Sequence, residues 1–467
     1  MRLTIAEIMA ATGASGDIRS FGQTGQALVA TAATADSRKA GPGSLFCCLP
    51  GSRADGHAFA PQAVKQGAIA VLAAREMPEV ADKAAVLVVP DVLKALAKLA
   101  RFWRRRTQAA VVALSGSAGK STVKEFLASI LAGVGPTMKN PGNYNNQLGL
   151  PLSMLAGEEN DKFWVLELGI SRQGDMEELA ALCEPDLAVV HNIGPAHLEG
   201  LGDLAGVARA KAQLFGFVRK GGAAIANKDY PLLWQAALAV NPGVIPMSVT
   251  SSDAPFHGRF LGFEHGHGRC HLSLEGTPVD VALPCLGAHL TENILAAAAA
   301  ASILGATPDQ IIAGLAAATA LPGRFTVVQA GGVTVIDDTY NANPLSMAAS
   351  IEAAAKRANG LPLLLAFGEM GELGEHAGPA HEELGRMAAR SGCRTLFFKG
   401  EHAPQVERGL RQEGFSGEFY PVNAAEDFDA LLGAVDIAEG VALFKGSRSA
   451  RMEELLEAYL ARHGGAR

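Results

Sequence analysis

Residues 111–131 read VVALSGSAGKSTVKEFLASIL, and no other stretch limits the fold of this chain as much. An apolar run of strand length enters a turn with two glycines, and an apolar pattern of helical period leaves it. A strand that passes at once into a helix opens a β–α–β unit, which implies a mostly parallel sheet flanked by helices. The turn also suits phosphate. Gly116 and Gly119 let the backbone curl until its N–H groups face inward, and the helix N-terminus adds positive potential. Ser117, Ala118 and Thr122 complete the loop. Lys120 can reach β- and γ-phosphates, and Ser121 can offer its hydroxyl to Mg²⁺. The full nucleotide-loop pattern has a glycine five residues before Gly119, where this chain has Leu114. A chance Gly–Lys–Ser turn is the alternative, and the strand–loop–helix setting argues against it.

The same rhythm recurs along the chain. In residues 1–108, apolar runs at 44–49, 68–73 and 85–89 alternate with helical patterns at 59–66 and 92–102, predicting a first α/β domain. Residues 101–108 (RFWRRRTQ) read as a solvated helix end and linker, with a phosphate-binding patch as the lesser alternative. A second domain, 109–322, has strands predicted at 110–114, 165–168 and 187–192, then helices at 291–304 and 307–318. Within it, residues 256–276 carry His257, His265, His267 and His271. Their alternation with glycines favours twisted strands and turns over a metal site. The Leu-Pro-Gly at 321–323 punctuates the chain, and a third α/β domain, 323–467, follows. Its strands are predicted at 333–337, 363–367 and 441–445. Polar clusters at 337–343, 368–375 and 445–449 follow them, at the strand ends where such sheets bind ligands.

Bulk properties narrow the function. A length of 467 residues suits roughly two to four domains. The balance of 40 Lys+Arg against 47 Asp+Glu gives −7, so there is no general attraction to nucleic acid. The apolar run 294–304 is too short to span a bilayer, and the N-terminal residues lack a secretory apolar core; no membrane insertion is expected. Cys47, Cys48, Cys183, Cys270, Cys285 and Cys393 form no CxxC pair and point to a reducing, cytoplasmic setting.

Glu167 lies in an otherwise apolar strand (WVLELG), where a carboxylate needs a cation or a pairing partner. The next strand ends in His191 and Asn192, with His197 in the loop beyond. If strand order is sequential, His197 shares a sheet edge with Glu167 and the phosphate loop, close enough to ligate a second metal near the γ-phosphate. A plain salt bridge for Glu167 and structural histidines are the alternatives. Lys228 reads as a solvated surface lysine. Lys211 sits on a mostly apolar helix; a snorkelling lysine is the default, but a desolvated amine is more often neutral and can add CO₂ to become a carbamate.

Taken together, these segments resemble the Mur ligase family of peptidoglycan synthesis over nearly the whole chain. The marks include ADSRKAGPGSLFCCLPGSRADGHAF (35–59), LSGSAGKSTVKE (114–125), KNPGNYNNQLGLPLSML (139–155), ELGISRQGDM (167–176) and HNIGPAHLEGLG (191–202). They continue with LGAHLTENILAA (286–297), LPGRF (321–325), IDDTYNANPLSM (336–347), GEMGELG (368–374) and FKGSRSARME (444–453). The resemblance implies a three-domain α/β architecture with a central P-loop ATPase-like parallel sheet and a Rossmann-like C-terminal domain. The first domain would bind the UDP-sugar end, the second ATP and the third the incoming amine.

Carried over residue by residue, Lys120 and Ser121 handle ATP phosphates and Mg²⁺, and Glu167 and His197 match the family's metal ligands. Lys211 matches its carbamylated lysine, and Asn293 the asparagine beside adenine. Arg324 and Asp338 match residues that hold the nucleotide across the domain boundary. Ser37 and Arg38 fall in the uridine-nucleotide motif, and Asn143, Asn145 and Asn146 in a substrate-facing loop. Tyr340, Asn341 and Asn343 would flank the closed site, with Lys445 at the last strand end. The loop departs from the family at Ala118, where Asn or Ser is common, and at Ser121, where Thr is common. Gln213 stands where the family often has an acid.

Within the family, DDTYNANP marks the member that adds D-alanyl-D-alanine to UDP-N-acetylmuramoyl-tripeptide. The implied chemistry is ATP-driven amide formation through an acyl phosphate, by a monomer. The alternatives are a ligase adding a single amino acid to a UDP-muramyl peptide or to folate, and an ATP-gated regulatory protein with a dead centre. The residues do not name a base for the incoming amine.

Overall fold

The computed structural model describes residues 1–16, 28–51, 54–265, 267–284, 287–319, 321–435 and 437–465. Three α/β layers dominate it, each built on its own sheet. Strands Ala32–Thr34, Ser44–Cys47, Ala68–Ala73 and Ala85–Val88 form an all-parallel sheet in that order. The helix Val92–Arg106 then leads from this sheet towards the next.

The central sheet has nine strands. Their spatial order is Thr277–Leu283, His267–Leu274, Phe256–Glu264, Ile245–Ser248, Ala223–Asn227, Leu187–Val190, Ala110–Ser115, Phe163–Glu167 and Thr137–Lys139. Two features refine the mostly parallel sheet expected here. The order is not sequential: the chain builds one side of Ala110–Ser115 first and then crosses to the other. The loop strand is therefore flanked by Phe163–Glu167 and Leu187–Val190, which leave it in opposite directions and open a crevice at its C-terminal end. The sheet is also mixed. It is parallel as far as Phe256–Glu264 and continues in two antiparallel strands. Local turns explain this: Glu275 and Gly276, with φ of 51° and 86°, make a two-residue hairpin turn that needs no helical crossover.

The histidine-rich segment thus forms twisted hairpin strands, with a register shift between Phe260 and Gly262. His271 pairs with Asp280 at 2.8 Å, and His257 hydrogen-bonds the Ala254 carbonyl. One face of the sheet is covered by the helix Ala288–Ile303, whose run from Ile294 to Ala301 is fully buried. Alanine side chains let this helix lie close against the sheet. The helix Pro308–Ala317 packs as tightly on Lys120–Ala132: a Cβ on Gly314 would come within 2.4 Å of the Ile130 Cα.

The last sheet runs Thr326–Ala330, Gly332–Asp338, Glu439–Lys445, Leu363–Gly368, Thr395–Lys399 and Glu418–Val422. Its first pair is antiparallel and the rest parallel, with helices on both faces. The five described cysteines, Cys47, Cys48, Cys183, Cys270 and Cys393, are free and buried; Cys285 lies outside the described residues. Among the described residues, no helix is long and apolar enough to cross a membrane.

The arginine run corrects an expectation. The helix continues through Arg106, and Arg104 is only 1% exposed rather than solvated. Its guanidinium donates to the carbonyls of Cys183, Glu184 and Ala109 and to the Asp186 carboxylate at 2.7 Å. Arg101 and Arg105 both bind Glu184, and Arg106 pairs with Glu7. Arg101, Arg104 and Arg105 fasten the helix to residues 183–186, which lead into the central strand Leu187–Val190, while Arg106 ties it to the helix Ile5–Thr12.

Candidate active site

The C-terminal ends of three central strands come level. Leu114 pairs with Glu167, and Ser115 with Val190, so the phosphate loop, Glu167 and the 191–197 segment leave the sheet side by side. A cleft of about 790 Å³ opens there and reaches the last sheet. Ser117, Ala118, Gly119, Lys120, Ser121 and Thr122 line it. Gly119 holds φ of 72° at the start of helix Lys120–Ala132, and Asn293 presses on it so closely that a Cβ would meet its Oδ1 at 2.6 Å.

Glu167 is 2% exposed and saturated with donors. Ser121 Oγ donates to its Oε2 at 2.6 Å and Asn145 Nδ2 to its Oε1 at 2.7 Å. Lys124 Nζ stands 3.8 Å away and also donates to the Asn140 and Gly142 carbonyls, clamping the 140–146 loop against the strand end. Asn143 and Asn146 also line the cleft; the Asn146 side chain accepts from the Gly149 N–H and so orders the helix that follows. Burial holds the Lys120 ammonium below its usual range, partly offset by Glu167 and reinforced by Arg324.

The last sheet supplies the facing wall. Arg324 lies 4.0 Å over the Tyr340 ring. Asp338 accepts from Lys445 Nζ and Ser350 Oγ, each at 2.6 Å, and from the Phe325 N–H. Lys445 also donates to the Asn341 carbonyl. Asn343 reaches across and donates to the Ser117 carbonyl at 2.9 Å. His197, in a left-handed conformation at φ 56°, pairs through Nδ1 with Glu372 of the facing loop, and that bond keeps the Glu372 carboxyl low.

Not every predicted site residue reaches the cleft. Lys211 is 1% exposed and sits behind the loop, where its Nζ donates to the Gly116 carbonyl at 3.0 Å. Burial and the nearby Lys120 hold its amine well below the usual lysine range. Ser37 and Arg38 lie in the turn Ser37–Lys39 after the strand Ala32–Thr34, away from the cleft lining. Ser37 donates to Gln62, and the exposed Arg38 pairs with Asp36. Among the described residues, no group of three or more His, Cys, Asp or Glu side chains is placed to hold a metal.

Three family models match the chain: "Mur ligase family, catalytic domain" over 30–104, "Mur ligase middle domain" over 114–301 and "Mur ligase, glutamate ligase domain" over 323–448. The UDP-N-acetylmuramoyl-tripeptide–D-alanyl-D-alanine ligase of Escherichia coli (strain K12) is 36% identical over 438 residues, spanning 91% of this chain and 93% of the relative. The chain belongs to the Mur ligase family. The ligase of the same name from Bacillus subtilis (strain 168) is 32% identical over 90% of this Mur ligase and 91% of its own length. Among solved structures, MurF from Acinetobacter baumannii superposes with a TM-score of 0.87 at 28% identity, covering 99% of both chains. The MurF ligase from Thermotoga maritima in complex with ADP gives 0.80 at 29%, covering 93% of this chain and 98% of that one.

Several residues of this Mur ligase escaped sequence reasoning. Glu372 and Lys124 bear directly on predicted site residues. Glu292, beside Asn293 on a helix otherwise rich in alanine, lines the cleft too. An acidic residue next to Asn293, on a helix that the fold must bury, was the signal available.

Proposed function

We infer that this Mur ligase uses ATP to join D-alanyl-D-alanine to UDP-N-acetylmuramoyl-tripeptide, a step of peptidoglycan precursor synthesis. The observation that carries the site assignment is the shared cleft. The phosphate loop comes from one sheet and Arg324, Tyr340 and Lys445 from another, so ATP and an incoming amine held on different units meet in one space.

A peptide carboxylate is a poor acyl donor because its leaving group would be oxide. Its oxygen attacks the γ-phosphorus, the bond to ADP breaks, and an acyl phosphate forms. The neutral amine of the dipeptide attacks the carbonyl carbon, and the tetrahedral intermediate collapses to amide and phosphate. The chain's main tasks are placing reactants and offsetting charge. Lys120, beneath the loop N–H groups, faces the β- and γ-phosphates. Asn293 lies beside the nucleobase, and Arg324 and Asp338 complete the nucleotide's enclosure. Ser37 and Arg38 take the distant uridine end. Asn143, Asn145, Asn146, Tyr340, Asn341 and Asn343 border the reacting carboxylate and amine, and Asn343 with the His197–Glu372 pair draws the two walls together and excludes water.

The donor set suits Mg²⁺, since the Ser121 hydroxyl and the Glu167 carboxylate are hard oxygen ligands already in contact. Those two would hold one ion; the family resemblance assigns His197 and a carbamylated Lys211 to a second, which requires the Lys211 amine, now on the Gly116 carbonyl, to turn towards the cleft. Bound Mg²⁺ would offset charge on the transferring phosphoryl group.

The direct test is phosphate release. Release should require ATP, the UDP-tripeptide and D-alanyl-D-alanine together; turnover indifferent to either acceptor ends this reading. A panel of single amino acids in place of the dipeptide should give no product. Lys211 has its own test. Its depressed pKa leaves more neutral amine, which can attack CO₂, lose a proton and become a carbamate. Carbon-13 bicarbonate should give a carbamate NMR signal that vanishes in Lys211→Met. Equal spectra from the two proteins exclude the modification.

A further inference from the structure

Glu292 faces the cleft from the first turns of helix Ala288–Ile303. Its Oε2 accepts from Tyr230 Oη at 2.9 Å and Asn227 Nδ2 at 3.1 Å, and its Oε1 from Asn192 Nδ2 at 2.7 Å. Asn192 is thereby oriented, and its other end touches the phosphate loop. Asn192 Oδ1 accepts the N–H groups of Ser117 at 2.8 Å and Ala118 at 3.1 Å, while Nδ2 also donates to the Ala118 carbonyl. One amide side chain thus grips the loop backbone at Ser117 and Ala118 through both its oxygen and its nitrogen. The carboxylate side of the chain is anchored by two residues from the neighbouring strand end, Asn227 and Tyr230.

We propose that Glu292 is a positioning residue for ATP, which acts through Asn192 to hold the phosphate loop in its receiving shape. The proposal rests on the reading that residues 116–122 bind ATP. Two features support it. The hydrogen bonds form one unbroken path from Glu292 to the loop backbone. The carboxyl is also expensive to keep: burial, with help from Asp229, pushes it up to about 7 against the opposing bonds from Asn192 and Tyr230. A group whose folded-state pKa is raised contributes stability below its unfolded value near 4.5, and loses it as pH climbs through about 7. An ionisable group that weakens the fold at neutral pH beside a ligand loop suggests a functional reason for its presence.

Glu292→Gln keeps the shape but cannot accept from Asn192, Asn227 and Tyr230 at once. The Kd and KM for ATP should rise about tenfold, as expected for losing a hydrogen bond to a charged group. KM for the UDP-tripeptide and the dipeptide should stay within twofold. The melting temperature at pH 8 should not fall, because the ionisation penalty is gone. Asn192→Ala should raise the same ATP constants, and the double variant should be no worse than Asn192→Ala alone. Unchanged ATP affinity in Glu292→Gln, losses that multiply in the double variant, or losses spread over all three substrates with lower melting at pH 6 and 8 each overturn the proposal. Parent protein that binds no ATP removes the functional reading itself; parent that binds while Glu292→Gln binds equally well removes only this inference.

Discussion

Lys120→Ala lowers kcat/KM for ATP-driven phosphate release by about 10³-fold, the loss typical of removing one preorganised charge-stabilising group. Lys120 is held below its usual pKa because desolvation outweighs the nearby Glu167, and Arg324 adds repulsion. An ammonium in that condition is poorly served by the protein alone and awaits a stronger negative partner, which triphosphate supplies. A lysine with a lowered folded-state pKa leaves the unfolded chain binding more protons up to the ordinary lysine value of 10.5, so stability rises with pH through that interval. Removing the ammonium relieves this penalty, and the variant should melt no lower than the parent at pH 7. Lys120→Arg should not restore turnover, because a planar guanidinium cannot occupy the space of a compact ammonium beside the loop. Steady-state phosphate release and thermal melting together check the claim. A variant within tenfold of parental activity, or one that loses activity only by unfolding, would sink it.

The site was legible where its signal was local. A glycine loop between strand and helix, and a glutamate in an apolar strand, are visible within a few residues because backbone curvature and burial leave short-range patterns. Glu167 shows why: only a buried cluster of donors makes it tolerable there, and Ser121 and Asn145 provide it. Strand order was not legible, since nothing local reveals that Ala110–Ser115 lies between Phe163–Glu167 and Leu187–Val190. Contacts across units were equally hidden. Asn343 meets Ser117 over a separation of 226 residues, and Glu372 meets His197 only when two loops face each other. Glu292 was masked by its alanine-rich helix, where a single acid reads as surface. The arginine run failed differently: Arg104 and Arg105 are identical as letters, and only the helix's docking angle separates the buried one from the solvated one.

That distinction gives the largest expected stability effect. Arg104→Met keeps the apolar stem but removes a guanidinium that satisfies the Cys183, Glu184 and Ala109 carbonyls and the Asp186 carboxylate. Desolvation already holds the Arg104 pKa below its usual value, with Asp186 opposing, so the pair stands in a poorly hydrated setting. Asp186 keeps the Val111 N–H and its ion pair with Arg219 at 3.5 Å, but the carbonyls at the end of helix Asp175–Cys183 lose their donors. Each buried carbonyl left without its donor costs about 1–3 kcal/mol. Arg105→Ala removes a shorter pair, 2.6 Å to Glu184, from an arginine that is 59% exposed. Solvent screening limits that loss to about 0–1 kcal/mol. Melting temperature of the first unfolding transition is the suitable readout, because a chain with several cores need not unfold in one step. Arg104→Met should lower it by several degrees and Arg105→Ala should barely move it, while KM for ATP changes in neither, since both arginines lie outside the cleft lining. Equal shifts from the two substitutions would mean that the buried guanidinium does not fasten the helix, and that packing by Trp103, fully buried one residue earlier, holds it instead.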